Sequence, residues 1–280
     1  MRTRFAPSPT GLLHLGHAYS ALLAWEEAGR EARNFILRFE DIDHTRVREP
    51  YYEQIVADLS WLGIRWEEEP LRQLDRLAVY EGALGELREK GLLYPCFCTR
   101  KELVMTAPQQ GDELPIYGGK CRRLSESEQK HQMDAGRSYS WRLDGGKALE
   151  VVGEELSFFE ERQGEVPVGQ GELGDPILAR KDIATSYHLA VVVDDAQQGV
   201  GKVVRGQDLF SSTFIHRVLQ HLLGLPTPRY YHHSLVVDEE GKRLAKRNQA
   251  RAICELREQG YTPEEVRELA MQSLTGSRRE

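Results

Sequence analysis

Short β-leaning runs alternate with helical ones through the first third of the sequence, and few architectures satisfy that order. TRFAP and NFILRFE favour strands, and HAYSALLAWEEAGREA between them favours a helix. YYEQIVADLSWLG predicts a second helix. A third is predicted from about Leu74, with Leu77, Tyr80, Leu84 and Leu87 on one face and Gly91 as its stop. Strands separated by helices do not close as hairpins, so the order predicts the α/β class, a parallel sheet flanked by helices. YHLAVVVDD and KVVRG resume the pattern as continuous apolar runs, which predicts strands buried on both faces. SSTFIHRVLQHLLG follows as a helix, with Ser211 as N-cap and Phe214, Ile215, Val218, Leu219, Leu222 and Leu223 as its buried stripe. HHSLVVD reads as a further strand. TPEE, Thr262 to Glu265 with Pro263 at the first helical position, is a capping box before Val266, Leu269, Ala270 and Leu274.

Residues 93–182 break the pattern with a cysteine cluster and short strands such as SYSWRL and LSFFE. Within them QGEVPVGQGELGDP, with four glycines and two prolines in fourteen residues, predicts a loop. The section therefore reads as an insertion into the sheet domain. At 280 residues and 40% hydrophobic, the chain can bury a full core. No apolar run approaches the roughly 18 residues of a membrane span, and MRTRFAPSPT lacks the apolar centre of a signal peptide. A cytoplasmic protein without membrane contact is expected. The formal net charge of −7 argues against indiscriminate nucleic-acid binding, yet a local basic run remains at Lys242, Arg243, Lys246, Arg247 and Arg251. On composition alone that run is a solvated face; phosphates of a nucleotide or of RNA are its functional alternative. Cys96, Cys98 and Cys121 fall within 26 positions, which in a reducing compartment points to a metal site rather than a disulfide framework. Cys254 lies far off in a helical pattern and reads as packing.

RFAPSPTGLLHLGH, residues 4–17, carries the densest chemistry. It forms a turn from a strand into a helix, and the C-terminal ends of parallel strands are where α/β sheets bind ligands. Pro7 and Pro9 end the strand and stiffen its exit. Gly11 permits a bend closed to other residues, and Gly16 lets a flat ligand approach the backbone. The helix start offers backbone N–H groups and a positive dipole end to a phosphate. His14 and His17, three apart, can donate to phosphate oxygens and stabilise charge developing on phosphorus.

This stretch closely resembles the first signature of the class I aminoacyl-tRNA synthetases in its glutamyl form, with His14-Leu15-Gly16-His17 in place of the HIGH tetrapeptide. RLAKR, Arg243 to Arg247, resembles the second signature, KMSKS, with Arg243 for its first lysine, Ala245 for its serine and Lys246 retained. LRFEDIDHTR and VVRGQDL extend the likeness over nearly the whole chain. The resemblance implies a Rossmann-type parallel sheet at 1–92 and 183–225, an inserted zinc-containing subdomain at 93–182, and the second-signature loop with short C-terminal helices at 226–280. It implies catalysis by His14, His17 and Lys246, with ATP and Mg2+ held by His14, Gly16, His17, Arg243 and Lys246. A glutamate site must pair two carboxylates and one ammonium, and arginine forks and an acidic side chain suit those groups. The resemblance places it at Arg4, Phe5, Ala6, Pro7, Ser8, Glu40, Tyr187 and Arg205.

Only 32 residues follow Asn248, which leaves no room for the helical part with which full glutamyl-tRNA synthetases read the anticodon. The chain therefore resembles the truncated relatives, the glutamyl-queuosine tRNA(Asp) synthetases. Members of that group activate L-glutamate and attach it to queuosine in the anticodon loop of tRNA(Asp). Expected partners are L-glutamate, ATP and queuosine-modified tRNA(Asp), and the chain is expected to be a monomer. Three thiolates and one further ligand make a tetrahedral structural zinc site. Chemistry alone nominates His131 as readily as Tyr117 for that ligand; likeness to the pattern Cys-x-Cys…Tyr-x-x-x-Cys puts Tyr117 first, with Cys96, Cys98 and Cys121. Two other readings stay open: a short glutamyl-tRNA synthetase charging the acceptor end, and a non-catalytic tRNA-binding paralogue.

Overall fold

The computed structural model describes residues 1–99, 102, 117–153, 155–169, 173–235 and 251–272, and the statements below concern those residues. It opens with β1 (Thr3–Phe5), α1 (Leu15–Glu27), β2 (Phe35–Phe39), α2 (Glu49–Trp61), β3 (Leu71–Arg72) and α3 (Leu77–Glu89). Here the alternation predicted from sequence is present. β1, β2 and β3 pair in parallel, with Arg4 beside Ile36 and Arg38 beside Leu71. All five residues of β2 are buried, as a strand covered on both faces requires. α1 packs on β1, and its Ala18, Ala21 and Ala24 are fully buried.

The middle of the chain holds β4 (Leu93–Cys96), α4 (Glu126–Asp134), β5 (Ser140–Leu143), α5 (Gly145–Val152), β6 (Ser157–Glu160), β7 (Gly164–Pro167) and β8 (Ile177–Ala179). The rest comprises α6 (Tyr187–Gln197), β9 (Lys202–Gly206), α7 (Phe210–Leu222), β10 (Arg229–His233), α8 (Ile253–Glu258) and α9 (Pro263–Gln272). β4, β5 and β8 form a separate antiparallel sheet. β9 and β10 pair in parallel, β6 joins β10 in parallel, and β7 closes the order β7-β6-β10-β9. None of the described helices is long and apolar enough to cross a membrane.

Several expectations are corrected. YHLAVVVDD is not a strand but most of α6. A helix buried on all sides has the same continuous apolar run as a buried strand, and α6 lies between α3, α7 and the sheets. The Gly/Pro-rich stretch is not wholly loop, because Gly164–Pro167 pairs antiparallel with Ser157–Glu160. That hairpin lies within the expected insertion yet extends the sheet of β9 and β10, so 93–182 is not a separate unit throughout. Ser211 is not an N-cap: α7 starts one residue earlier, and Leu209 stands at its N-cap. HHSLVVD contributes only His232 and His233 to β10, and its residues from Val236 on lie outside the described ones. Gly11 has no positive φ, so its bend does not exclude side chains on backbone grounds. The capping box at the last helix is present, Thr262 and Glu265 exchanging both bonds.

Candidate active site

β1 and β9 lie side by side and carry the two halves of the sheet apart. Backbone hydrogen bonds join them only at their starts, where the Arg2 carbonyl accepts from the N–H groups of Gly201 and Lys202 at 2.9 and 3.1 Å. Beyond that point no ladder forms between them. The order β3-β2-β1 on one side and β9-β10-β6 on the other makes this gap the switch point of the sheet, where such folds bind ligands. A cleft of about 410 Å³ opens there.

Arg4, Phe5, Ala6, Ser8, His14, Gly16, His17, Glu40, Tyr187 and Arg205 all line it. Of the described residues expected around glutamate or the phosphates, only Pro7 stands behind the wall. Its carbonyl accepts the Glu40 N–H at 3.1 Å and so helps place that carboxylate. Arg243 and Lys246 lie outside the described residues. Among the described residues on either side of them, Leu235 lines the cleft and Ala252 forms an isolated bridge with His14.

The histidine pair is built into the start of α1. His14 is its N-cap, and His14 Nδ1 accepts the Gly16 N–H at 3.1 Å. His17 Nδ1 accepts the His14 N–H at 3.2 Å, and the ring centroids are 3.8 Å apart. An Nδ1 that accepts carries no proton, so each neutral ring carries its proton on Nε2. The expected row of open backbone donors is thus partly used by the imidazoles themselves. Donors at this turn are ring N–H groups as much as backbone ones.

One wall of the cleft is ionic. Arg4 Nε donates to Asp195 Oδ1 at 3.2 Å, and Arg4 Nη1 reaches the Val204 carbonyl at 3.3 Å. Arg38 Nη1 meets the same Asp195 oxygen at 2.8 Å, and Arg38 Nη2 meets Glu40 Oε1 at 3.3 Å. Burial pushes Asp195 up, but Arg4 and Arg38 outweigh it and hold the carboxyl below its usual value. Burial raises Glu40, against the pull of Arg38 and Arg4. A desolvated carboxylate of this kind gains from an incoming cation such as an ammonium.

The other wall is neutral in the partners of its arginine, although Asp208 also lines the cleft. Arg205 Nη1 donates to Tyr187 Oη and His216 Nδ1, each at 3.2 Å. Arg205 Nη2 donates to Thr213 Oγ1 at 2.7 Å, and Nε to His232 Nε2 at 3.3 Å. Sequence reasoning missed Arg38, Asp195, Thr213, His216 and His232. Only Arg38 left a signal: an arginine inside FILRF needs a buried counter-charge, and VVVDD supplies one. It also missed Ser20 and His233, which line the cleft with Oγ and Nε2 2.8 Å apart. His233 Nδ1 lies 2.9 Å from the Ser234 carbonyl and donates to it, so Nε2 accepts from the serine hydroxyl. Gly206 lines the cleft as well, where a Cβ would stand 2.5 Å from Asp208 Oδ1 and 2.9 Å from a Leu235 methyl.

A second group lies at the end of β4. The Cys96, Cys98 and Cys121 sulfurs are buried, unbridged and all within 4.8 Å of one another. Cys98 Sγ is 3.5 Å from Cys121 Sγ and 3.8 Å from Tyr117 Oη. Tetrahedral zinc with Zn–S near 2.3 Å separates its sulfur ligands by about 3.8 Å, so the set fits such an ion. Burial and Cys121 push the Cys98 thiol up to about 11, and ionising such a group needs a cation. Tyr117 adjoins the sulfurs, whereas His131 is exposed on α4 and is not one of the group.

The split sheet and its ligand cleft define a class I synthetase catalytic domain. The family model for tRNA synthetases class I (E and Q), catalytic domain, matches residues 1–276. The glutamyl-Q tRNA(Asp) synthetase of Rhodobacter capsulatus is 44% identical over 96% of this chain and 99% of that protein. Its namesake in Nocardia farcinica is 41% identical over 97% and 84%. The structure of a glutamate tRNA ligase from Elizabethkingia meningosepticum matches with a TM-score of 0.80 and 27% identity. This chain spans 60% of that ligase and is itself covered to 96%. The chain belongs to the glutamyl-Q tRNA(Asp) synthetase family and is a ligase-type enzyme.

Proposed function

We propose that this chain joins L-glutamate to AMP without tRNA and then passes the glutamyl group to queuosine in the anticodon loop of tRNA(Asp). The charge pattern of the cleft carries this reading. Two buried arginines, Arg4 and Arg205, line it together with the carboxylate of Glu40, groups that suit the two carboxylates and the ammonium of glutamate. Phe5, Ala6, Ser8 and Tyr187 complete the pocket, and Pro7 holds Glu40 in place.

In the first step an oxygen of the glutamate α-carboxylate attacks the α-phosphorus of ATP. A bond forms between them, the bond to the bridging oxygen breaks, and pyrophosphate leaves. His14 and His17 donate Nε2–H to phosphate oxygens, Gly16 keeps the turn narrow, and Arg243 and Lys246 hold the triphosphate with Mg2+. Stabilising the charge of the phosphoryl transition state is the main catalytic contribution. In the second step a hydroxyl of the queuosine ring attacks the activated carbonyl and AMP leaves, a reaction that needs positioning above all. We assign zinc to Cys96, Cys98, Cys121 and Tyr117, where it would cross-link the end of β4 to residues 117–121.

The test has two arms. Glutamate-dependent pyrophosphate exchange without RNA is expected, and its absence at saturating glutamate overturns the reading. Transfer to queuosine-modified tRNA(Asp) is expected to exceed transfer to the unmodified tRNA. Equal charging of both would instead favour a short glutamyl-tRNA synthetase acting on the acceptor end.

A further inference from the structure

Arg205 is nearly as buried as Arg4, yet its surroundings have a different character. Four of its five N–H groups are accounted for by Tyr187, His216, Thr213 and His232, and none of these partners is a carboxylate. The sheet register delivers one of them, since His232 of β10 stands directly beside Arg205 of β9. Thr213 and His216, three apart on α7, deliver two more from the same helical face. Thr213, His216 and His232 are all buried.

The protons in this cluster are ordered by the guanidinium. Arg205 can only donate, so His216 Nδ1 accepts and its Nε2 carries the proton. That proton points along the 3.2 Å contact to His188 Nδ1. His232 Nε2 likewise accepts, which puts its proton on Nδ1, 3.5 Å from Glu160 Oε1. Burial first, and the Arg205 cation second, push His188 down to about 4, His232 to about 3 and His216 well below its usual value. The rings therefore stay uncharged at neutral pH and offer lone pairs.

We propose that His216, together with Thr213 and His232, fixes Arg205 through uncharged acceptors, so that the guanidinium keeps its full charge for a carboxylate of the substrate. His216 is then a positioning residue that sets affinity for a dicarboxylic amino acid. A carboxylate at that place would fix the arginine equally well and cancel it. Arg4 shows the beginning of that outcome, because Asp195, shared with Arg38, offsets part of its charge. The inference rests on the proposed glutamate activation, through the assignment of Arg205 to glutamate.

Three variants read it in pyrophosphate exchange, with KM for glutamate, KM for ATP and kcat measured separately. His216→Leu removes the acceptor and is expected to raise the glutamate KM roughly tenfold or more, the loss of one hydrogen bond to a charged group. Its ATP KM is expected to stay within about twofold. His216→Gln keeps an uncharged acceptor and is expected to remain within about threefold of wild type in every constant. His216→Glu is expected to raise the glutamate KM the most, roughly a hundredfold. If the His216→Leu chain melts below the assay temperature, Thr213→Val removes the neighbouring acceptor and is read the same way. Equal glutamate KM values for the Leu and Gln variants, or wild-type affinity in the Glu variant, overturn the inference while leaving the proposed reaction intact. A wild-type chain without exchange overturns the reaction, and this inference falls with it.

Discussion

Arg4 and Arg205 flank one cleft and are 4% and 5% exposed, but opposite means hold them there. Arg4 shares Asp195 with Arg38, and Arg38 in turn reaches Glu40 and Asp194. Arg205 rests on a hydroxyl, a phenol and two imidazoles. A buried ion pair fixes geometry firmly, since removing one partner strands the other charge away from water. It also spends that charge on the protein itself. The neutral cradle fixes a guanidinium more weakly and leaves its charge uncompensated. The ionic wall therefore carries architecture, while the neutral wall leaves the charge of its arginine open to the cleft.

The largest expected difference is in stability. Asp195→Asn leaves Arg4 and Arg38 without their shared charge and should lower the unfolding free energy in urea by about 3–5 kcal/mol. Equal losses from Asp195→Asn and from disrupting the neutral wall would erase the contrast.

Acid should separate the walls next. A histidine whose pKa is lowered in the fold contributes stability that is fully present above its unfolded value of about 6.5. That stability is lost as pH falls through the folded value, about 4 for His188. Asp195, lowered from 3.8, gives up its contribution only below that range. Urea unfolding at pH 7 and pH 5 should therefore show a larger loss in wild type than in His188→Gln, by about 1–2 kcal/mol. An identical pH dependence would mean that His188 is not held neutral by the fold. The smallest effect concerns one hydrogen bond: Thr213→Val should lower stability by about 1 kcal/mol in the same titration, well short of Asp195→Asn.

Both walls were partly legible in the sequence. Arg4, Ser8, Glu40, Tyr187 and Arg205 stand in stretches whose likeness to a known family identifies them one by one. Asp195 was hidden because YHLAVVVDD has the same apolar content whether strand or helix. Only as a helix does it turn the two acids toward Arg4, Arg38 and Arg76. His216 and His232 were hidden for a different reason. A histidine on an apolar face reads as packing until the strand register and helix face that join it to Arg205 are known. The first 92 residues were legible in outline because β2 is uniformly apolar apart from Arg38 and the helices after it carry clear stripes. The β6–β7 hairpin was missed because glycine and proline density describes a turn's surroundings and says little about four residues able to pair between turns.

The pairing of His232 with Arg205 also limits which length changes the gene can survive. A codon lost or gained between Arg229 and His232 would turn the side chains on one side of the change to the opposite face of the sheet, and with the start of β10 held in register it would carry the imidazole away from the arginine. The hydrogen bond from Arg205 to His232 would be lost even where the sheet still formed. Point substitutions are thus the open route for altering this amino-acid pocket, while insertions and deletions are confined to the connections outside its strands.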